Sequence, residues 1–145
     1  STARVVRLFG FEPKVAFVSH STFGQPLTSR TKHIRNAVEI LKEKNVDFQF
    51  DGDMQPDVAL NSEYEELYPF AKIVGKANIL IMPGQHSAAI SYKLMKSIGD
   101  SKVIGPLLIG LGLPIEIAPL RSSTSEILNL ASIAAYSADV IDYQK

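Results

Sequence analysis

The segment of residues 78–99 constrains the fold more than any other part of the sequence. Residues 79–82 (Ile-Leu-Ile-Met) form an unbroken apolar run between Gly75 and Pro83. Such a run is too short for a free-standing helix and is typical of a parallel strand that is buried on both faces. The residues after the next turn predict an amphipathic helix that ends at Gly99, because apolar residues recur there at helical spacing. These residues are Ala88, Ile90, Leu94 and Ile98.

A polar turn, Pro83-Gly84-Gln85-His86-Ser87, connects the predicted strand to the predicted helix. In open α/β sheets the carboxyl ends of parallel strands are where ligands bind, because backbone N–H groups and helix N-termini point outward there. We therefore expect the functional site on this edge of the sheet.

The rest of the hydrophobic pattern predicts that strands and helices alternate along the chain. Further strands are expected at residues 14–20, 47–51 and 115–118. The strand at 47–51 alternates apolar and polar residues, so we expect it to be half exposed near a sheet edge. Further helices are expected at residues 3–9, 31–44, 63–67 and 123–138. The fold class is therefore α/β, with a mostly parallel sheet, helices on both faces and right-handed crossovers.

Composition restricts the cellular setting and the kinds of partner. The chain has 145 residues, 46% of them hydrophobic, so we expect a single domain with its own core over residues 1–145. It has no cysteine, which excludes disulfides and thiolate metal sites. Its 15 basic and 15 acidic residues cancel, which argues against nucleic acid and anionic membranes as partners. No apolar run approaches the roughly 20 residues that a bilayer span needs, and we expect a cytoplasmic protein.

Hydroxyl groups and a glycine follow the first predicted strand. Ser19, Ser21, Thr22 and Gly24 lie where backbone can approach a phosphate group. The chain contains neither a Walker A motif nor a G-x-G-x-x-G motif, and ordinary turn chemistry also accounts for such residues. The residues themselves leave both interpretations open.

Two histidines are placed near the same edge. His20 and His86 are candidates for a general acid or base, although isolated histidines are more often solvated or structural. His33, on the predicted helix at 31–44, has no stronger case. No order of residues typical of a serine hydrolase is visible.

Three carboxylates lie at the end of the second predicted strand and just after it. Asp51, Asp53 and Asp57 are candidate metal ligands, since the spacing of Asp51, Asp53 and Gln55 resembles the start of a calcium-binding loop, but the required glycine and closing glutamate are misplaced. We therefore expect a turn with solvated carboxylates and no metal site.

A series of motifs, in order, resembles one known family over nearly the whole chain. They lie at residues 12–16 (Glu-Pro-Lys-Val-Ala), 19–24 (Ser-His-Ser-Thr-Phe-Gly), 37–41, 51–57 (Asp-Gly-Asp-Met-Gln-Pro-Asp), 75–80, 92–94 and 104–111. In combination they resemble the phosphate acetyl/butyryl transferase family, and more closely the form of that domain at the C-terminus of bacterial NADP-dependent malic enzymes. The resemblance implies a phosphotransacetylase or isocitrate dehydrogenase-like fold, of which this chain is a part of a larger unit with two subdomains. It also implies that residues 115–138 return to the other subdomain, or swap between copies when that subdomain is absent.

The departures from the family pattern bear on catalysis. Family transferases carry Pro-Val-Asn-Asp-Leu-Ser-Arg-Gly near the end, where Ser and Arg meet acetyl-CoA and phosphate, and a catalytic Asp follows. An ungapped match puts Pro119 and Leu120 at the Ser-Arg pair and Glu126 at the Asp, while Arg121 is adjacent. The family's Pro-Asp-Leu-Asn-Ala-Gly-Asn is likewise altered to Pro83-Gly84-Gln85-His86-Ser87-Ala88-Ala89. Because in-line transfer tolerates little misplacement, we expect no catalytic residue in this chain.

The resemblance implies a site and a role. The residues implied to meet acetyl-CoA or phosphate are Ser19, Ser21, Thr22, Gly24, Pro83, Gln85, His86, Arg121 and Glu126. The implied role is an acetyl-CoA-responsive, oligomerising C-terminal domain of an enzyme that oxidatively decarboxylates malate to pyruvate. NADP and a divalent metal would bind an N-terminal region that lies outside this sequence. The alternatives are an active acyltransferase that uses Arg121, and a purely structural assembly domain.

Overall fold

Three parallel strands form the sheet in the computed structural model, which describes residues 1–100 and 102–142. The strand order is β2-β1-β3, with β1 at Lys14–Val18, β2 at Gln49–Met54 and β3 at Ile79–Ile81. The α-helices are α1 (Thr2–Leu8), α2 (Ser29–Glu43), α3 (Pro56–Leu60), α4 (Gln85–Ile98) and α5 (Thr124–Asp142), and a 3₁₀ turn spans Ser62–Glu65. The predicted α/β class with a parallel sheet is confirmed.

The chain divides into two compact units. One comprises residues 2–93, and the other comprises residue 1 and the residues from 94 onward. The predicted single domain over residues 1–145 includes residues 101 and 143–145, which lie outside the described part, and it stays a prediction. None of the helices in the described part has the length and apolar character needed to cross a membrane.

The central strand β1 is buried because it has neighbours on both sides. Val15, Ala16 and Val18 are buried, and Ala16 contributes to a core with Met54, Ala59, Ile73 and Ala77. Phe23, which lies in the loop after β1, packs against this core and against the rings of Tyr68 and Phe70, with ring centroids 5.4 and 4.8 Å apart. The loop is therefore fixed to the hydrophobic interior at its middle.

Helix α2 begins at a complete capping box. Thr31 donates its backbone N–H to the Thr28 hydroxyl at 3.2 Å, and Thr28 donates its own N–H to the Thr31 hydroxyl at 2.8 Å. Two of the N–H groups at the start of the helix are satisfied in this way. The helix then buries Val38 and places its N-terminus after the β1 loop.

Strand β2 continues further than the sequence pattern predicted. It pairs with β1 through Phe17–Gly52 and then Val18–Met54, so Asp53 is an extra residue in a β-bulge. The strand predicted at 47–51 therefore lies at Gln49–Met54. It ends later than predicted because pairing with β1 keeps the three residues after Asp51 in the sheet. Its edge position is confirmed by the strand order.

Two predictions about burial were wrong. Ile81 of β3 is 36% exposed because β3 is an edge strand of this sheet, whereas the apolar run indicated burial on both faces. On α4 the apolar residues Ile90, Leu94 and Ile98 are all exposed. The helical spacing was read correctly, but it does not show what covers the stripe.

The second unit contains α5, and the described residues 102–123 before it form neither helix nor strand. Residues 115–118 form no strand there, contrary to prediction, while the helix predicted at 123–138 is confirmed as α5. Leu130 of α5 is buried within this unit. Short apolar runs such as 115–118 need a partner strand to pair with, and the described part of this unit offers none.

Candidate functional site

The loop of residues 19–25 leaves the carboxyl end of β1 and folds back toward β2. Ser19 donates its N–H to the Met54 carbonyl at 2.9 Å, and Phe23 donates its N–H to the Asp53 carbonyl at 2.6 Å. Thr22 and Gln25 exchange backbone hydrogen bonds at 3.2 and 3.0 Å, which closes the tip of the loop. The loop therefore has a defined conformation that depends on the last residues of β2.

The carboxylate of Asp53 lies completely buried beneath this loop. Its Oδ2 accepts a hydrogen bond from the Ser21 hydroxyl and another from the Gly24 N–H at 3.3 Å. Among the residues that the structure describes, its Oδ1 has no hydrogen-bond partner, and Arg35 Nε on α2 lies 4.0 Å from it. Ser19 Oγ is 3.2 Å from Ser21 Oγ and extends the network toward the strand.

The expectation of solvated carboxylates was wrong for two of the three aspartates. Asp53 is fully buried, and Asp51 is buried with its Oδ2 accepting the Lys72 N–H at 2.7 Å. Asp53 lies in the extension of β2 and Asp51 lies within the strand itself, and in both places protein donors take the place of water. Asp57 is exposed, as predicted. Among the described residues no group of His, Cys, Asp and Glu is arranged to hold a metal ion.

A cleft of about 550 Å³ opens beside this loop within the first unit. The loop after β1 and the loop after β3 each supply part of its wall, and the first turns of α2 supply the rest. The lining residues are Ser19, His20, Ser29, Arg30, His33, Ile34 and Pro83. Strands β2 and β3 flank β1 on opposite sides, so the connections after β1 and β3 diverge at this edge of the sheet. In such folds small ligands bind at the point where the connections diverge, and the cleft lies there.

The cleft brings together some of the residues predicted from the sequence. Ser19, His20 and Pro83 line it, whereas Ser21 and Gly24 lie buried and donate hydrogen bonds to Asp53. Thr22 is also buried, and its hydroxyl accepts the Gln55 N–H at 3.2 Å. Gln85 and His86 are exposed at the start of α4 and do not line the cleft. The residues on the edge therefore form two layers, a lining and a support beneath it.

Sequence reasoning missed the contribution of α2. Ser29 and Arg30 were not considered, and His33 was given no role, although Arg30, His33 and Ile34 are three or four residues apart and therefore share a helix face. Because these residues come directly after a loop at a strand end, their spacing could have indicated that α2 contributes to the site. It did not show which face of the helix would border the cleft.

The two remaining predicted residues belong to the second unit. Glu126 accepts hydrogen bonds from Lys96 Nζ at 2.6 Å and from the N–H of Ser123 at 2.8 Å, while Ser123 Oγ accepts the Glu126 N–H at 3.3 Å. Lys96 above all, and then Ser123, lower the pKa of Glu126 to about 2. Glu126 thus caps α5 and stays ionised. Arg121 is exposed at a turn, and the preceding Leu120 is fully exposed.

The family model for phosphate acetyl/butaryl transferase matches residues 1–135. The chain is 47% identical over 136 residues to an NADP-dependent malic enzyme of Rhizobium meliloti, and 35% identical over 138 residues to that of Escherichia coli, covering 94% of this chain and 18% of each enzyme. It is 33% identical to a phosphate acetyltransferase of Bacillus subtilis, of which it covers 43%.

Solved structures agree with these similarities. The crystal structure of a phosphotransacetylase from Streptococcus pyogenes superimposes with a TM-score of 0.87 at 34% identity, over 94% of this chain and 42% of that one. The EutD phosphotransacetylase from Staphylococcus aureus superimposes with a TM-score of 0.84 at 30% identity. The chain therefore spans less than half of the transferases and less than a fifth of those two malic enzymes.

Proposed function

Because this chain belongs to the phosphate acetyl/butaryl transferase family, we propose that it is an acetyl-CoA-responsive, oligomerising domain of an NADP-dependent malic enzyme. The parent enzyme would oxidatively decarboxylate malate to pyruvate, with NADP and a divalent metal bound in an N-terminal region outside this sequence. This chain would bind acetyl-CoA or a related acyl-CoA without transferring the acyl group.

Two observations carry the proposal: the first unit has a cleft at its sheet edge, and the sequence of the second unit lacks the reactive pair of the family. The cleft at the sheet edge has five polar or charged residues among the seven that line it, and it is large enough for part of a cofactor-sized ligand. In an ungapped match to the family pattern, Pro119 and Leu120 fall at the positions of the transferases' Ser-Arg pair, and neither side chain can stabilise a developing negative charge. Ligand binding is therefore favoured over acyl transfer.

The similarities to known proteins support the choice of parent enzyme. Identity is 47% with the Rhizobium meliloti malic enzyme and 40% with the probable malic enzyme of Rickettsia prowazekii. It is 33% and 36% with the phosphate acetyltransferases of Bacillus subtilis and Clostridium acetobutylicum. A domain attached to a dehydrogenase can act on it only if acetyl-CoA binds one state of the whole enzyme more tightly than another.

The test is a titration of the full-length enzyme with acetyl-CoA. Binding is measured by calorimetry, malate-dependent NADPH formation by absorbance, and acetyl phosphate formation in parallel with added phosphate. We expect binding that changes malate turnover and no acetyl phosphate. Acetyl phosphate formed at an enzymatic rate would overturn the proposal in favour of a transferase, and absence of binding would leave assembly as the role.

The second candidate is an active acyltransferase, and the position of Arg121 is the observation in its favour. Its guanidinium is exposed one residue beyond the place of the family arginine. Such a group supplies the cation that transfer to phosphate requires. This candidate predicts acetyl phosphate formation by the unaltered protein and a loss of at least about a hundredfold on Arg121→Ala.

A further inference from the structure

We propose that the cleft at the sheet edge binds the phosphate groups of its ligand through Arg30 on α2, together with the imidazoles of His20 and His33. This inference deepens the proposed function, on which it rests only for the choice of acetyl-CoA as the natural ligand. It assigns the recognition of phosphate to the first turns of α2, where the sequence pattern placed no site.

The three side chains approach the cleft from two elements. His20 lies in the loop after β1, while Arg30 and His33 are three residues apart on the first turns of α2. The loop is held by the Asp53 network beneath it, and the helix by the Thr28–Thr31 capping box. Both walls are therefore ordered before a ligand arrives, which lowers the entropic cost of binding.

The charge of the lining is suited to an anion. Among the described residues, the charged or titratable ones that line the cleft are His20, Arg30 and His33, and no carboxylate lines it. The loop after β3 contributes Pro83, which carries no charge. A guanidinium binds two phosphate oxygens at once, and the N-terminus of the 15-residue helix α2 adds a partial positive charge at the same end.

The rest of the lining narrows the ligand class. Ser19 and Ser29 offer hydroxyl donors and acceptors, and Ile34 and Pro83 offer apolar contact. The concave shape and the chain's zero net charge favour a small phosphorylated molecule over an extended nucleic acid. A diphosphate that carries a larger organic group combines these properties.

The first experiment isolates the phosphate chemistry with inorganic pyrophosphate as the probe. Calorimetry on the full-length protein compares the unaltered form with Arg30→Ala and with Lys32→Ala. Lys32 is the matched control because it is an exposed cation on the same helix that does not line the cleft. We expect Arg30→Ala to weaken pyrophosphate binding about tenfold or more, since a hydrogen bond to a charged group is lost, while Lys32→Ala changes it less than about twofold.

The second experiment tests the imidazoles by substitution. Both side chains line the cleft, and an imidazole N–H can donate a hydrogen bond to a phosphate oxygen. We expect the double variant His20→Ala with His33→Ala to weaken pyrophosphate binding about fivefold or more, while Lys32→Ala changes it less than about twofold. Unaltered pyrophosphate binding in the double variant would overturn the role of the imidazoles.

Acetyl-CoA measured with the same variants separates the inference from the proposed function. If acetyl-CoA binds equally well to the unaltered protein and to Arg30→Ala, and pyrophosphate does not compete, the inference fails and the proposed function stands. If pyrophosphate binding depends on Arg30 but acetyl-CoA does not bind, the phosphate site stands and acetyl-CoA is the wrong ligand. Loss of binding in Lys32→Ala as well would overturn the site by showing that helix charge alone is responsible.

Discussion

Asp53 shows how a single buried carboxylate determines the conformation of a loop. The loop of residues 19–25 donates two hydrogen bonds to its Oδ2, from Ser21 and from Gly24, and Phe23 donates a third to its backbone carbonyl. Without the carboxylate, the Ser21 hydroxyl and the Gly24 N–H would lose their acceptor in a buried place. Isolated polar groups in such places cost free energy of folding.

We expect Asp53→Ala to lower the free energy of unfolding by about 2–4 kcal/mol, because the Gly24 N–H and the Ser21 hydroxyl lose their acceptor. Urea denaturation of the protein measures the effect. The matched control is Asp57→Ala, which removes an exposed carboxylate three residues beyond β2 and should change stability by less than about 0.5 kcal/mol. Equal effects of the two substitutions would contradict the assigned role of Asp53.

Glu126 leads to a prediction about pH. Its pKa, about 2, lies below the usual value of 4.5 because Lys96 and Ser123 donate hydrogen bonds to the carboxylate. The resulting contribution to stability is therefore fully present above pH 4.5 and is lost as the pH falls from there through about 2. An NMR titration should show a rise in this pKa on Lys96→Met and no change on Lys102→Met, which removes a cation that does not contribute to the shift.

At the scale of elements, the sequence predicts those features that depend on neighbouring residues. Helix α2, strand β1 and helix α4 follow from local periodicity and caps, and all three were predicted within a few residues. The burial of Asp53 was not predictable, because it depends on the bulge between β1 and β2, which are more than thirty residues apart. The role of Arg30 and His33 was missed for the same reason, since the orientation of α2 depends on its packing against the sheet.

Gly52, next to the bulge, has a backbone conformation and close neighbours that favour glycine. This residue has a φ of +152°, and a Cβ placed on it would lie 2.7 Å from both the Cβ and the carbonyl oxygen of Phe17. We expect Gly52→Ala to lower the free energy of unfolding by about 2–4 kcal/mol through strain and overlap. Gly84→Ala, where a Cβ meets nothing within 4 Å, should cost less than about 1 kcal/mol in the same urea denaturation.

At the scale of the whole molecule, the exposed side of α4 bears on the proposed assembly. Ile90, Leu94 and Ile98 recur at helical spacing and are all exposed. Contiguous apolar surface of this kind is uncommon in proteins that remain monomeric. The sequence predicted these apolar residues on one face of α4. It does not show whether that face packs inside a core or against a partner.

If α4 contributes to oligomerisation, Leu94→Asp should reduce the mass of the full-length protein measured by light scattering, because burial of a carboxylate at an apolar contact is costly. Leu27→Asp is the control, since Leu27 is comparably exposed but lies in the loop before α2. An unchanged mass for both variants would remove α4 from the interface and require another surface for assembly.

The dependence of the β1 loop on Asp53 has a consequence for synthesis. A ribosome produces the chain from its N-terminus, so Ser21 is made 32 residues before the carboxylate to which it donates. The opposite wall of the cleft, at Pro83, is made later still. Helix α2 can form as soon as it emerges, because its capping box is local, but the loop before it has no anchor until β2 pairs with β1. The cleft is therefore among the last features of its unit to be completed as the chain is made.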